Sequence, residues 1–242
     1  MDHPKRGVFI IINNKKFHSS VDQSERSGTD VDADNLCQVF TGLGFDVRQE
    51  NNNTTAEMLA ILVKASKEDH SDNDCFMCAI LSHGTDGNRV YGTDGEVDIR
   101  CLVSRFSEEK CPTLIGKPKV FIIQACRGAR MDPGVEVADA LGDSAETVSR
   151  IPEEPDFLYA FSTVAGYYSW RNSTRGSWFI EALCQVFRDN RTGKEIMALL
   201  TEVNRRVARN FESHTPDEDM NRKKEMPSIM SMLTKQLYLL PK

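Results

Sequence analysis

Val120-Phe121-Ile122-Ile123-Gln124-Ala125-Cys126-Arg127-Gly128 is the stretch that decides how this chain is read. Four large apolar residues in a row suit a strand buried on both faces, with Lys119 before it and Gly128 after it as punctuation. A thiol placed where such a strand stops sits at the carboxyl edge of an open sheet, where α/β folds bind their ligands. A second apolar run, Cys75 to Leu81, ends in Leu81-Ser82-His83-Gly84. If the two runs are parallel strands, their tips point to one rim, and His83 and Cys126 meet there.

Working outward toward the N-terminus, Val8 to Ile12 reads as the first strand and Lys15 to Gly28 as a loop. A helix is predicted from Thr29, with Thr29 and Asp30 able to cap it, acids in its first turns and Gly42 and Gly44 ending it. Phe45-Asp46-Val47 looks like a short second strand. Thr54-Thr55-Ala56-Glu57 matches a capping box ahead of the apolar side formed by Met58, Leu59, Ile61, Leu62 and Val63, which predicts a second helix. The order strand, helix, strand, helix, strand is that of a doubly wound fold with a parallel sheet. Gly84-Thr85-Asp86-Gly87 and Gly92-Thr93-Asp94-Gly95 look like a repeat, and their Asp-Gly pairs predict tight turns. The acids there lack the alternation a calcium loop requires.

Beyond Gly128 the chain changes character. Residues 129–155 hold almost no apolar periodicity and are rich in Gly, Pro and acids, a segment too long for a structureless loop unless it is a linker or has a function. Phe157 to Phe161 predicts a further strand, and Ser177 to Phe187 a helix. Thr192-Gly193-Lys194-Glu195 reads as a second capping box before Ile196, Leu199, Leu200, Val203 and Val207. Phe211 to Lys224 reads as a polar loop, and Ser228 to Leu240 as a closing strand with its extension.

A length of 242 residues is ample for one large α/β domain. With 40% hydrophobic and 27% charged residues the composition is that of a globular protein, and a formal charge of −6 leaves no basic excess for nucleic acid. Seven irregularly spaced cysteines do not make a disulfide framework. The N-terminus has no apolar signal core and no segment approaches a membrane span, so the cytoplasm is the expected compartment. The first apolar run starts at Gly7, which leaves no room before it for a recruitment domain. Cys75-Phe76-Met77-Cys78 is a CxxC, but within a strand a spacing of three sends its thiols to opposite faces, against a metal or redox role. No metal or cofactor is expected. Arg222-Lys223-Lys224 is most simply a solvated loop.

A thiol attacks a carbonyl as thiolate, so a catalytic cysteine needs a base or a cation beside it. His83 is the histidine that stands at the end of a core strand. Small neighbours, Gly84 and Ala125, let backbone N–H groups approach a reacting carbonyl oxygen. Taken singly, a buried cysteine is ordinarily core filler, a lone histidine a structural group, and an isolated arginine a surface ion pair.

The motifs remove that ambiguity. The chain resembles the caspases, in particular their executioner branch, through Arg26-Ser27-Gly28-Thr29-Asp30-Val31-Asp32, Ser82-His83-Gly84 and Gln124-Ala125-Cys126-Arg127-Gly128. The resemblance continues in Tyr167 to Ser173, Gly176-Ser177-Trp178-Phe179 and Ser231-Met232-Leu233-Thr234-Lys235. It implies an α/β fold with an open, mostly parallel six-stranded sheet flanked by helices and extended across a two-fold dimer. It also implies an endopeptidase that cuts protein substrates after aspartate at Asp-Glu-Val-Asp-like sites in apoptosis. Cys126 would be the nucleophile, His83 the proton carrier facing the carbonyl of Ser24, and Gly84 and Cys126 the oxyanion donors. Arg26, Gln124 and Arg171 resemble the floor of the primary pocket, with Ser169 lining it. Two guanidinium forks suit a carboxylate. Tyr168, Trp170 and Met220 resemble the second pocket, and Asn172 and Trp178 the fourth, although by pattern alone Trp178 fits core packing equally well. The loop from Glu212 to Asn221 departs from the executioner pattern.

The family's members are made as zymogens and cut in the linker by an upstream protease. Here Asp139, after Val135-Glu136-Val137-Ala138, is the expected principal site and Asp143 the second; Asp132 stands in the same segment. The domain, 1–242, would thereby become a large subunit of 1–139 and a small one of 140–242. An apolar last strand needs cover, which the dimer would supply. Two other readings compete. A catalytically silent binding scaffold would not need Cys126, His83, Arg26 and Arg171 together, and a relative cutting after Lys or Arg would want acids where the arginines stand.

Overall fold

The computed structural model describes residues 3–128, 130–132 and 155–241. The apolar runs become the strands β1 (Val8–Asn13), β3 (Phe76–Leu81), β7 (Lys119–Gln124) and β8 (Phe157–Phe161), each buried along its length. Joined by β2 (Asp46–Asn51) and β11 (Ser228–Ser231), they form one sheet in the order β11-β8-β7-β3-β1-β2. All pairings are parallel except β8 with β11 at the edge.

Alternate residues of these strands feed two cores. Phe9, Ile11, Met77, Ala79, Val120 and Ile122 pack on one face, against α1 (Thr29–Gly42), α4 (Trp178–Asp189) and α5 (Ile196–Asn210). Ile10, Ile12, Cys78, Ile80, Phe121 and Ile123 pack on the other, against α2 (Thr55–Ser66) and α3 (Ile99–Val103). Continuous apolar runs are what a sheet covered on both sides demands. Cys75 lies in the first core and Cys78 in the second, so the CxxC thiols do face opposite ways. No disulfide forms among the described residues. No described helix is long and apolar enough to cross a membrane.

Because β1 connects outward to β2 while β3 returns to β1's other side, the order reverses between β1 and β3. Open α/β sheets bind ligands at the carboxyl ends of such a switch point. The loop after β1 carries Arg26, the turn after β3 carries His83, and Cys126 follows β7 at the neighbouring position. Three short strands, β4 (Gly84–Thr85), β5 (Arg89–Gly92) and β6 (Gly95–Asp98), form a small antiparallel sheet on this rim, turned by the two predicted Asp-Gly corners. A hairpin of β9 (Arg171–Asn172) and β10 (Gly176–Ser177) leads directly into α4.

Several local expectations need correction. The second strand runs from Asp46 to Asn51, and Phe45 instead packs into the core. The cap of α1 is Gly28, at φ 86° and without a side-chain bond, because Thr29 and Asp30 are used elsewhere. Thr29 Oγ1 donates to Asn13 Oδ1 and Asp30 accepts from Lys15. The predicted box at Thr192 does not form. The helix starts at Ile196, capped by Glu195, whose carboxylate accepts from Met197 N at 2.8 Å. Thr54 and Glu57 do form theirs, in both directions. The closing strand ends at Ser231; beyond it Leu237 and Leu239 are buried against the first core as irregular chain, where Leu237 O accepts from Ile196 N. Asp139 and Asp143 lie outside the described residues, whereas Asp132 is bridged to Lys224.

Candidate active site

The register Leu81↔Gln124 fixes the relation of the two motifs, since His83 and Cys126 each stand two residues past this pair. Ser82 N donates to Gln124 O at 3.1 Å, carrying the pairing beyond the strands. A Cβ on Gly84 would lie 2.2 Å from Cys126 O and 2.9 Å from Ala125 Cβ, so only glycine allows the two turns to touch. Gly128 is held in the same way against the backbone of Gly166, at φ 152°. Arg127, between Cys126 and this glycine, points inward, donating to Asn88 Oδ1 at 2.6 Å with its guanidinium 4.0 Å from the Phe161 ring centre. The chain on each side of Cys126 is therefore clamped.

His83 Nε2 lies 2.8 Å from Ser24 O. A carbonyl oxygen only accepts, so Nε2 carries the proton and the neutral ring keeps its lone pair on Nδ1. Phe17 packs on the imidazole at 4.9 Å between ring centres. Burial pulls the imidazole down to about 4 against the Ser24 bond, with Arg26 and Arg171 adding to the fall. The Cys126 thiol is pushed up, again chiefly by burial, opposed by the Ser169 carbonyl contact and the two arginines. The resting pair is an uncharged thiol beside an uncharged imidazole.

Arg26 is 1% exposed. Its Nη1 donates to Asn14 O at 3.1 Å and Thr29 Oγ1 at 2.7 Å, while Nε and Nη2 are buried with no partner. Burial, then the Arg171 charge, bring it down to about 9. Arg171 Nε donates to Ser27 O at 2.8 Å, and burial lowers this guanidinium as well. Gln124 Nε2 donates to Ser169 Oγ at 2.7 Å, leaving Oε1 buried and unpartnered. Buried polar groups are nearly always bonded, so the three orphan atoms on Arg26 and Gln124 need an explanation outside the fold. A bound carboxylate supplies one for the arginine.

Tyr168, Trp170 and Trp178 form a run of rings, with centres 5.2 Å apart for the first pair and 5.5 Å for the second. Phe211 extends it at 5.6 Å from Trp178. Trp178 is thus half-buried in an aromatic row rather than in the core. Asn172 is exposed, and its Oδ1 accepts from Thr174 N, Thr174 Oγ1 and Arg175 N. Met220 ends a single 3-10 turn, Glu218–Met220, with its carbonyl accepting from Ser213 Oγ at 2.6 Å.

Sequence reasoning assigned no role to four residues here. Asp32 stood inside a quoted motif; it is buried, accepts from Ser177 N at 2.8 Å and Ser177 Oγ at 2.6 Å, and burial pushes it up to about 6. Phe17, Phe211 and Glu225 stood in stretches read as polar loop or left unread, and what recruits them is tertiary contact.

The caspase domain family matches residues 6–238. Caspase-3 of Mus musculus is 51% identical over 238 residues, 98% of this chain and 85% of its own, and caspase-3 of Bos taurus is 49% identical over a similar span. The crystal structure of caspase-1 from Spodoptera frugiperda superposes with a TM-score of 0.91 at 43% identity, covering 100% of this chain and 92% of that one. Fold and rim together define a cysteine endopeptidase. The chain belongs to the caspase family. Its likeness to caspase-3 over nearly its whole length makes it a caspase-3-like executioner, an aspartate-specific protease of apoptosis.

Proposed function

We propose that Cys126 and His83 carry out the cleavage, and that Arg26, Arg171 and Gln124 receive the aspartate side chain that precedes the scissile bond. The observation that carries this reading is the buried guanidinium of Arg26, with Nε and Nη2 unpartnered beside a second arginine. Such a hole favours a carboxylate and rejects its neutral isostere, whose binding leaves the cations unpaired. With the side chain seated, the Cys126 sulfur attacks the peptide carbonyl carbon as its proton passes to His83 Nδ1. The oxyanion is received by the N–H groups of Gly84 and Cys126. The same proton then goes to the departing amine nitrogen as the C–N bond breaks, leaving an acyl-enzyme thioester. Water adds to this ester and returns the thiol. Tyr168 and Trp170, with Met220, take the second residue; Trp178 and Asn172 take the fourth.

Maturation by cleavage after Asp139, and secondarily after Asp143, belongs to the same reading, as do an upstream activating protease and a cytoplasmic setting. Pairing of two copies through β11, the edge strand bearing partly exposed Ile229 and Met230, completes it. A fluorogenic Asp-Glu-Val-Asp peptide beside an Arg-ending one, with and without iodoacetamide, tests the core of the proposal. The Asp-ending peptide is expected to be cut, the Arg-ending one spared, and inactivation to coincide with a single mass tag on Cys126. Inactivation with Cys126 unlabelled overturns the assignment.

A further inference from the structure

Glu225 lies just ahead of β11, outside every quoted motif, and is 2% exposed. Its Oε2 accepts from Trp170 N at 2.5 Å. Its Oε1 lies 3.4 Å from Ser169 Oγ, a gap that either hydroxyl can bridge as donor. Ser169 Oγ also receives Gln124 Nε2, and Ser169 O lies 3.9 Å from Cys126 Sγ. One carboxyl thus holds the two residues that stand between the thiol and Arg171, and reaches the pocket floor through a single hydroxyl. The titratable groups acting with it are Asp32 from α1, Cys126 after β7 and Tyr168 from the wall itself; none is a cation.

We propose that Glu225 is a positioning residue of the aspartate pocket, its two carboxyl oxygens holding Ser169 and Trp170 in place. The inference rests on the pocket assignment made above. A buried carboxylate without a cation partner is costly, and the uncharged acid is the form this site supports. Burial accordingly raises Glu225 well above the usual carboxylate range, with Asp32 adding to the rise. The consequence is functional. With Ser169 and Trp170 held, Gln124 and the neighbouring Arg171 stay where a substrate carboxylate would meet them. Glu225 acts without touching the substrate.

The test compares wild type, Glu225→Gln and Glu225→Ala as the whole chain, with kcat and KM for an Asp-ending fluorogenic peptide at pH 7. Gln keeps an acceptor for Trp170 N, so KM of Glu225→Gln is expected to stay within about twofold of wild type. Ala leaves Trp170 N–H unpaired, and KM is expected to rise about tenfold at pH 7 with kcat changed less than twofold. A merely structural residue shifts the melting temperature but leaves KM unmoved. A folded Glu225→Ala with wild-type KM, or a Glu225→Gln whose KM rises as far as that of Glu225→Ala, overturns the inference; if Glu225→Ala does not fold, Glu225→Met, which keeps the volume without the acceptor, takes its place. A wild type that fails to cut the Asp-ending peptide overturns the pocket assignment and this inference with it. A wild type that cuts it while the variants behave identically overturns the inference alone.

Discussion

Replacing Arg26 by methionine should move stability and activity in opposite directions. The side chain is 1% exposed, and its guanidinium is brought down to about 9, first by burial and then by Arg171. The sign follows from linkage. A basic group depressed in the fold binds its proton more weakly there than in the unfolded chain, so its charge weighs against folding at every pH below about 9. At ~1.4 kcal/mol per pH unit, carrying this charge costs the fold about 5 kcal/mol. Methionine removes that cost but also forfeits the bonds to Asn14 O and Thr29 Oγ1, worth about 1.5–3 kcal/mol each since one partner is charged. Thr29 Oγ1 keeps its bond to Asn13, which limits the loss. The balance is a gain of up to about 2 kcal/mol, or ~4–8 °C in melting temperature for a chain of this size.

Activity should fall instead. The Nε and Nη2 groups of Arg26 have no partner in the protein, so a substrate carboxylate can take both as charge-assisted bonds. Two such bonds at about 1.5–3 kcal/mol each set the loss in kcat/KM for an Asp-ending peptide at ~10²–10⁴-fold. Differential scanning calorimetry and steady-state kinetics on the same preparation read both effects. A variant that melts well below wild type and still cuts the Asp-ending peptide within tenfold of its rate would refute the reasoning. Arg26 would then be a structural cation.

The neutral resting pair predicts how Cys126 responds to pH: alkylation by iodoacetamide should climb steadily from pH 6 to above 9, and His83→Ala should leave that climb in place. A plateau between pH 6 and 8 that disappears in His83→Ala would reveal a preformed thiolate–imidazolium pair instead. Gly84→Ala places a methyl 2.2 Å from the Cys126 carbonyl, an atom with no freedom to yield, so peptide hydrolysis should fall at least 10²-fold and the melting temperature should drop. Wild-type kinetics in that variant would mean that the two turns can separate without consequence.

What was legible in the sequence follows a physical division. Apolar runs such as Phe76–Leu81 and Lys119–Gln124 identify themselves, because a strand covered on both faces admits few polar residues. Thr54 and Glu57 likewise satisfy each other within one turn. Thr192 and Glu195 carry the same local pattern and fail, because Leu237 O takes Ile196 N and Glu195 itself becomes the cap. The tail from Leu237 to Leu239 looked like strand because it is apolar, but burial against α5 needs no ladder. In the site, His83 and Cys126 were readable from strand ends together with the caspase-like motifs around them. Asp32, Phe211 and Glu225 were not, since each is recruited by a residue far along the chain: Ser177, Trp178 and Trp170.

The arrangement also determines where selectivity for aspartate is expressed. Arg26 and Arg171 lower His83 and lower Cys126 as well, so their charge makes the base weaker and the thiol a stronger acid together. On the proposed pocket, a substrate carboxylate that neutralises them moves both groups in the same direction. Aspartate would then act through binding energy realised in the ground state and the transition state alike, which lowers KM without raising kcat. The two arginines proposed for this pocket lie on either side of residues 133–154, Arg26 before them and Arg171 after. Their segments are joined by Arg171 Nε to Ser27 O and by Ser177 to Asp32. A chain cut within that stretch would retain these two bonds, because both partners of each lie among the described residues outside it.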